Sequence, residues 1–283
     1  MQDIHSYSFL VKKLRQFFQE QKGYVEVPAQ CRLSILAACE DPKTITQFNF
    51  SGTQYPLPQT GQMWLEYELL NNPTAPGVFC ITTSYRNEPN PIPGRHEKIF
   101  PMFEFEARGG MAELRKVEAE LVQFLGFPAP VSCLYNDICE KYATTNISAD
   151  DELQMQKDFG NVISLEHFPL STHPFWNMKQ GENNLFNKID VVLYGMETIG
   201  SAERSTNVDE MRKNFYSISD GQYHKLLFAA FGEERVTKEL EAYFELPMFP
   251  RFGAGIGVTR LVRAMQLARL IPEPAYMQLS EAV

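Results

Sequence analysis

The stretch SYRNEPNPIPGRHEKIFPMFEFE, residues 84–106, decides how the rest of the chain is read. Two strand-like runs flank a loop of Pro, Asn and Gly, the pattern of an antiparallel hairpin with a long turn. Residues two apart in a strand share a face, so Arg86 and Glu88 project together on the outgoing limb, as do Glu104 and Glu106 on the returning one. Arg95 and His96 close the loop, and Phe100 follows them. One reading is a solvated edge hairpin whose cross-strand ion pairs contribute little. The other is a grip for a nucleoside triphosphate, because guanidinium forks match phosphate oxygens and an aromatic or guanidinium plane can stack on a base.

With 283 residues, 44% of them hydrophobic, the chain can bury a full core. No apolar run approaches the roughly 18 residues of a membrane span, and the charged, amphipathic start is unlike a secretion signal. A cytoplasmic protein with no membrane contact is therefore expected. Cys31, Cys39, Cys80, Cys133 and Cys139 include no CxxC pair, which points to reduced thiols in apolar surroundings rather than a disulfide framework or a zinc site. A net charge of −9 argues against a large nucleic-acid-wrapping face and still permits a local basic pocket.

Apolar spacing predicts a helix over 6–21 ended by Gly23, a short strand over 24–27, and a helix over 62–71 among strands in ITQFNF, QYPLP, GVFCITTSYRNE and KIFPMFEFEAR. A further helix is expected over 111–125, a short one near 136–142, strands in KIDVVLYGMETIG, one helix over 208–231 and another over 234–244. The segment 128–171 reads as a possible insertion with no assignable role. No repeat or linker divides the chain, so one α+β domain over 1–283, an antiparallel sheet flanked by helices, is the expectation.

Three further segments carry polar groups in suggestive places. GAGIGVTR, 253–260, sets a glycine at every second position, which lets a strand approach a ligand, with Arg260 on the first turn of the next helix; taken alone, tight helix-on-sheet packing with Arg260 and Arg263 in ordinary salt bridges is the stronger reading. In KIDVVLYGMETIGSAERS, Asp190, Glu197 and Arg204 stand seven apart across a hairpin turning at Gly195, with Gly200 in its second strand. Two converging carboxylates could hold Mg²⁺ with phosphate oxygens, and the Arg could clamp a carboxylate or amide; separate surface charges are the alternative. In QTGQMWLEYELL, Gln59, Thr60, Gln62 and Glu66 gather at a loop-to-helix junction able to bind a small polar ligand, although a plain helix cap accounts for Thr60.

The order of these segments resembles the catalytic core of class II aminoacyl-tRNA synthetases, from about residue 3 to 270. GYVEVP is similar to the first class motif, SYRNEPNPIPGRHEKIFPMFEFE to the second and GAGIGVTRLVRAM to the third. TGQMWLE, RHEKIFPMFEFE and METIGSAERS are similar to the aspartyl and asparaginyl branch and to the synthetase-like asparagine synthetases. The resemblance implies ATP and Mg²⁺ as cofactors. It places Arg86 on the α-phosphate, Glu88 at the adenine edge and Arg95 with His96 on the γ-phosphate. Phe100 and Arg260 would sandwich the adenine beside Gly257, Asp190 and Glu197 would carry the metal, and Arg204, with Gln59, Gln62, Glu66 and Gly200, would hold the amino acid. Pro28 would lie at a homodimer interface. Positioning and charge neutralisation are the expected catalytic means, with Arg86 and Arg260 carrying them.

Two departures shape the expected substrate. Aspartate-activating members carry a Lys where Leu65 stands here, followed by Glu66, so asparagine is favoured over aspartate. The chain also starts at the catalytic core, with no anticodon-binding barrel before it. That makes a smaller acceptor, or tRNA gripped through its acceptor end alone, the expectation. An asparagine synthetase using aspartate and ammonia is one alternative reading, and a non-catalytic synthetase-like binding protein is another.

Overall fold

The computed structural model describes residues 3–28 and 33–272, so Cys31 lies outside the described residues. The chain opens with α1 (Ile4–Arg15), capped by the Asp3 carboxylate, which accepts from the amides of His5 and Ser6, and runs into a π-helical turn over Gln16–Gln21. That turn places Phe17 and Phe18 inside, with the Phe18 ring 4.7 Å from Phe105 and 5.0 Å from Phe103. There follow β1 (Val25–Glu26), β2 (Gln47–Phe50), β3 (Thr53–Pro56), α2 (Gln62–Asn71), β4 (Gly77–Tyr85), β5 (Ile99–Arg108) and α3 (Met111–Phe124). The middle holds β6 (Val131–Leu134), α4 (Tyr135–Tyr142), α5 (Ala149–Phe159), β7 (Val162–Pro169), β8 (Leu185–Leu193) and β9 (Met196–Arg204). The last part is α6 (Val208–Ser217), α7 (Gln222–Phe231), α8 (Glu233–Phe244), β10 (Arg251–Gly257) and α9 (Val258–Leu267).

Eight strands form one sheet in the order β1-β4-β5-β10-β9-β8-β7-β6, and β2 pairs with β3 apart from it. The architecture is α+β, but the sheet is mixed rather than wholly antiparallel as expected: β1 runs parallel to β4, and β6 to β7. The parallel β6–β7 pair follows from its connection, since α4 and α5 carry the chain across and return it to the same end. Segment 128–171 therefore extends the central sheet. Its strands were hard to read because β6 is largely exposed, and α5 buries only Glu152 and Met155, too few for an apolar stripe.

The single helix expected over 208–231 is two. Ser219, Asp220 and Gly221 take φ of 53°, 55° and 73°, a left-handed turn that ends α6 and redirects the chain into α7. The apolar spacing survives this break, so periodicity alone missed it. Among the described residues no helix is long and apolar enough to cross a membrane. Cys39, Cys80 and Cys133 are buried free thiols, and Cys139 is half-buried.

Alternation along β5 and β10 decides which face bears the site. Phe103, Phe105, Phe252, Ala254 and Ile256 point into a core closed by α1, α3 and α9, where Leu114, Leu121, Leu261 and Met265 are enclosed. Each such Phe, Leu, Ile or Met side chain removed from water contributes roughly 1.5–3 kcal/mol. Glu104, Glu106, Gly253 and Gly255 occupy the other face, beneath α2 and a second core around Trp64, Trp176 and Tyr243.

Candidate active site

The floor of the site is a bare strip of sheet. Glu104 pairs in register with Gly255, Gly255 with Gly200, and Gly200 with Asp190, so two glycines separate two carboxylates on one face. The spacing of β10 follows from its neighbours. A Cβ on Gly253 would lie 1.9 Å from Glu106 Oε1, and one on Gly255 would lie 2.8 Å from both Gln62 Nε2 and the Met102 methyl. Gly257 meets nothing closer than its own helix's Arg260 side chain at 3.5 Å.

Above this floor is a cleft of about 270 Å³ whose lining includes Arg86, Glu88, Arg95, His96, Phe100 and Arg260, with Glu197, Gly200 and Gly257. Residues separated by as much as 174 positions thus meet in one space, as the triphosphate reading of the hairpin requires and the solvated-edge reading does not. Arg86, just past β4, pairs with the Glu40 carboxylate, which raises the guanidinium's already high pKa. Arg95 Nη2 stands 2.5 Å from Glu152 Oε1. Arg260, in the first turn of α9, donates from Nη1 to the Glu197 carbonyl at 2.9 Å and from Nη2 to the Arg95 carbonyl at 3.4 Å. Burial, with Arg95 and Arg86 nearby, holds the Arg260 pKa below its usual value against the pull of Glu197 and Glu152. Such crowding of guanidinium groups favours a bound polyanion.

The two candidate metal-binding carboxylates converge. The β8–β9 hairpin turns at Tyr194 and Gly195, with φ of 50° and 70°, the left-handed pair that a tight two-residue turn needs. Three residues later a bulge shifts the register, so that Val192 faces Glu197 while Val191 faces Ile199. Regular alternation would put Glu197 and Gly200 on opposite faces; the bulge returns Glu197 to the face of Asp190. A Cβ on Gly200 would sit 3.2 Å from Glu197 Oε1 and 3.6 Å from Asp190 Oδ1, so both oxygens border the space that the missing side chain leaves.

These residues fit a divalent cation. Lys188 holds Asp190 Oδ2, while the buried Oδ1 has no hydrogen-bond partner. Burial first, then Glu197, pushes the Asp190 carboxyl up to about 7 against the pull of Lys188. Glu197 is held below its usual range: burial opposes this, and Lys188, Arg260, Arg95 and Arg86 outweigh it. Among the described residues no three His, Cys, Asp or Glu side chains form a metal-ligand cluster. Two carboxylates suit Mg²⁺ when further oxygens come from water and phosphate.

A small cavity adjoins the cleft and shares Glu40, Thr60 and Gln62 with it; Arg204, Glu66 and Asn177 line its far side. Arg204 Nη2 donates to Gln62 Oε1 at 2.6 Å and to Glu106 Oε1 at 2.5 Å. Glu66 is held by protein groups: Oε2 accepts from the Tyr243 hydroxyl at 2.7 Å and Arg251 Nε at 2.9 Å, and Oε1 from Asn177 Nδ2 at 2.6 Å. Asn177 Oδ1 is buried with no partner. Gln59 does not reach either space; its amide accepts from the amides of Glu40 and Asp41 and donates to Asp41 O and Thr44 Oγ1, fastening the loop that carries Glu40. Glu104 is likewise internal, accepting from Thr60 Oγ1, Thr82 Oγ1 and the Gly61 amide.

The site also includes residues that no sequence motif marks as its members: Lys188, Glu40, Glu152 and Asn177. Lys188 could have been found, since it lies two positions before Asp190 in a strand and must share its face. Glu40, Glu152 and Asn177 reach the site from loops and a helix far along the chain, and no local pattern marks them.

Comparison with known proteins accords with this geometry. The family model described as tRNA synthetases class II (D, K and N) matches residues 2–273. Comparison with curated protein sequences finds no match. Among solved structures, the asparaginyl-tRNA synthetase from Pyrococcus horikoshii complexed with asparaginyl-adenylate superposes with a TM-score of 0.74 at 20% identity, covering 92% of this chain and 64% of that one. The Entamoeba histolytica asparaginyl-tRNA synthetase gives 0.72 at 19% identity, over 94% and 65%. The aspartyl-tRNA synthetase from the same organism gives 0.67 at 18% identity, over 96% and 58%. The chain spans less than two thirds of the length of each of these structures. The helix-flanked sheet, the hairpin of arginines and the glycine-floored cleft, together with the family match over residues 2–273, show that this chain belongs to the class II tRNA synthetases of the D, K and N group.

Proposed function

We propose that the chain is an ATP-dependent ligase that activates asparagine. An α-carboxylate oxygen attacks the α-phosphorus, the bond to the β-phosphate bridging oxygen breaks, and asparaginyl-adenylate and pyrophosphate form. The observation that carries this reading is the meeting of Arg86, Glu88, Arg95, His96, Phe100 and Arg260 in a cleft that runs into the cavity of Arg204. A bent triphosphate in the cleft and an amino acid in the cavity would place the reacting atoms beside Arg86. Its guanidinium neutralises the charge that builds on the α-phosphoryl oxygens. Arg95 and His96 take the γ-phosphate, Glu88 reads the adenine edge, and Phe100 and Arg260 sandwich the ring, with the Gly257 backbone alongside. Asp190 and Glu197 would hold Mg²⁺, which when bound would neutralise phosphate oxygens.

The preference for asparagine over aspartate rests on charge. Arg204 and Arg251 are already offset by Glu106 and Glu66, all four buried, so a substrate carboxylate would bring an unbalanced charge into a dry cavity. A neutral side-chain amide avoids that cost. Its carbonyl can accept from Arg204 and its NH₂ can donate to the partnerless Asn177 Oδ1. Leu65, where aspartate-activating members carry Lys, is enclosed in the core.

Pyrophosphate exchange measured over all twenty amino acids, with and without tRNA, tests the reading. Asparagine-driven exchange is expected. Exchange driven by aspartate alone would instead favour an asparagine synthetase, and calorimetry without ATP binding would favour a non-catalytic binding protein. A tRNA acceptor, if used, is gripped through its acceptor end, and a gain in exchange on adding tRNA is its readout. We further propose a cytoplasmic homodimer joined near Pro28, beside the sheet-edge strand β1. Sedimentation equilibrium at the dimer mass supports the homodimer, and a monomer mass rejects it.

A further inference from the structure

We propose that Glu152 is a positioning residue for the nucleotide site, holding the returning limb of the 86–98 loop against the β8–β9 hairpin; this rests on the ATP-binding reading above. The Glu152 side chain projects from α5 and has both oxygens engaged. Oε1 lies 2.5 Å from Arg95 Nη2, and Oε2 accepts from the Glu197 amide at 2.8 Å. One carboxylate therefore ties together the loop that presents Arg95 and the strand that presents Glu197. Arg260 completes the tie, donating to the carbonyls of the same two residues.

Stability alone is a poor reason for this residue. α5 buries only Glu152 and Met155, and sinking a carboxylate costs several kcal/mol before its partners repay it, where an apolar residue would seal the helix directly. α5 also has other contacts with the hairpin, since Leu153 and Gln156 press against the Gly195 turn. The loop, by contrast, needs a tether: residues 89–94 are all exposed, whereas the Arg95 side chain is only 14% exposed and is paired with Glu152. Freed of that contact, Arg95 would have to be ordered by the nucleotide itself, at the expense of affinity.

Calorimetric titration with ATP and Mg²⁺, beside pyrophosphate-exchange kinetics, tests the role on Glu152→Ala, Glu152→Gln, Arg95→Ala and the Glu152→Ala/Arg95→Ala double variant. Glu152→Ala should weaken ATP binding by about tenfold, the low end for losing the partner that orients a ligand-holding group. The KM for the amino acid should not move. Glu152→Gln keeps an acceptor for the Glu197 amide and should lose less. Adding Glu152→Ala to Arg95→Ala should weaken ATP binding further by clearly less than the loss that Glu152→Ala causes alone, because much of what Glu152 does runs through that arginine and the remainder through the Glu197 amide. Unchanged or tighter ATP binding in both Glu152 variants overturns the inference, as does a double-variant loss equal to the product of the single losses. A wild-type chain that binds no ATP would sink the ATP-binding reading itself, whereas normal wild-type binding with unaltered variants sinks this inference alone.

Discussion

Arg204 donates to Glu106 Oε1 from Nε at 3.1 Å and from Nη2 at 2.5 Å, and the two side chains are sealed from solvent at 2% and 0% exposure. Burial pushes the Glu106 carboxyl up, and the adjacent Arg204 guanidinium pulls it back down. Each partner thus depends on the other to remain charged in the floor of the small cavity.

Removing one partner should cost far more than removing both. Arg204→Leu is expected to lower the unfolding free energy by about 3–5 kcal/mol, and the Arg204→Leu/Glu106→Gln double variant to recover much of it. Gly253→Ala, whose Cβ would fall 1.9 Å from Glu106 Oε1, should lose about 3 kcal/mol by overpacking the same pair. Urea unfolding of wild type, Arg204→Leu, Glu106→Gln, their double variant and Gly253→Ala measures this, and losses from Arg204→Leu and Glu106→Gln that simply add in the double variant would show that the pair is not coupled.

Arg86 lies on a half-exposed loop start with Glu40 as its ion-pair partner, away from both hydrophobic cores. Arg86→Ala should leave the melting temperature within a few degrees of wild type while pyrophosphate exchange falls by about 10²-fold or more. Exchange that survives the substitution would remove Arg86 from the α-phosphate.

The gap above Gly200 offers a test of the metal site with little cost to the fold. A Cβ there would displace only the end of the Glu197 side chain, 3.2 Å away. Gly200→Ala and Glu197→Gln should both raise the Mg²⁺ concentration needed for half-maximal exchange by about tenfold or more, with stability near wild type. If both Mg²⁺ titrations overlay that of wild type, Asp190 and Glu197 do not hold the ion.

Glu118 on α3 sets the direction of a pH effect. It is enclosed beside Ser201, whose hydroxyl donates instead to the Ile189 carbonyl, so the carboxylate has no hydrogen-bond partner. Burial pushes its carboxyl up to about 8 from an ordinary 4.5. Between those values the folded chain keeps a proton that the unfolded chain has lost, so stability from this group is full below about pH 4.5 and declines as the pH rises towards 8. Glu118→Gln should flatten that decline and leave the protein more stable than wild type at pH 8. Parallel urea-unfolding profiles for the two proteins from pH 5 to 9 would contradict it.

Local repetition made much of the fold legible. The alternation of Phe103 and Phe105 with Glu104 and Glu106 already separates a core face from a polar one, because side chains along a strand repeat every two residues whatever surrounds them. The alternate glycines of 253–257, the Asp190-to-Glu197 spacing about Gly195 and the charged hairpin of 84–106 likewise carried the cleft's main residues in the sequence itself.

Other features depended on register and on contacts between distant segments, which no local period encodes. A bulge of one residue in β9 turned Glu197 onto the face of Asp190, against the strict alternation that the sequence implies. Glu66, expected to touch a substrate, is engaged by Arg251, Tyr243 and Asn177, and Gln59 fastens a loop, because in a dry interior most polar groups settle on partners that folding brings near. Glu152 reaches Arg95 across 57 positions from a helix with almost no apolar face. Local sequence marked the charged and glycine-bearing segments that line the cleft; the packed sheet settled which of their side chains meet, since the cost of burying charge depends on neighbours in space rather than along the chain.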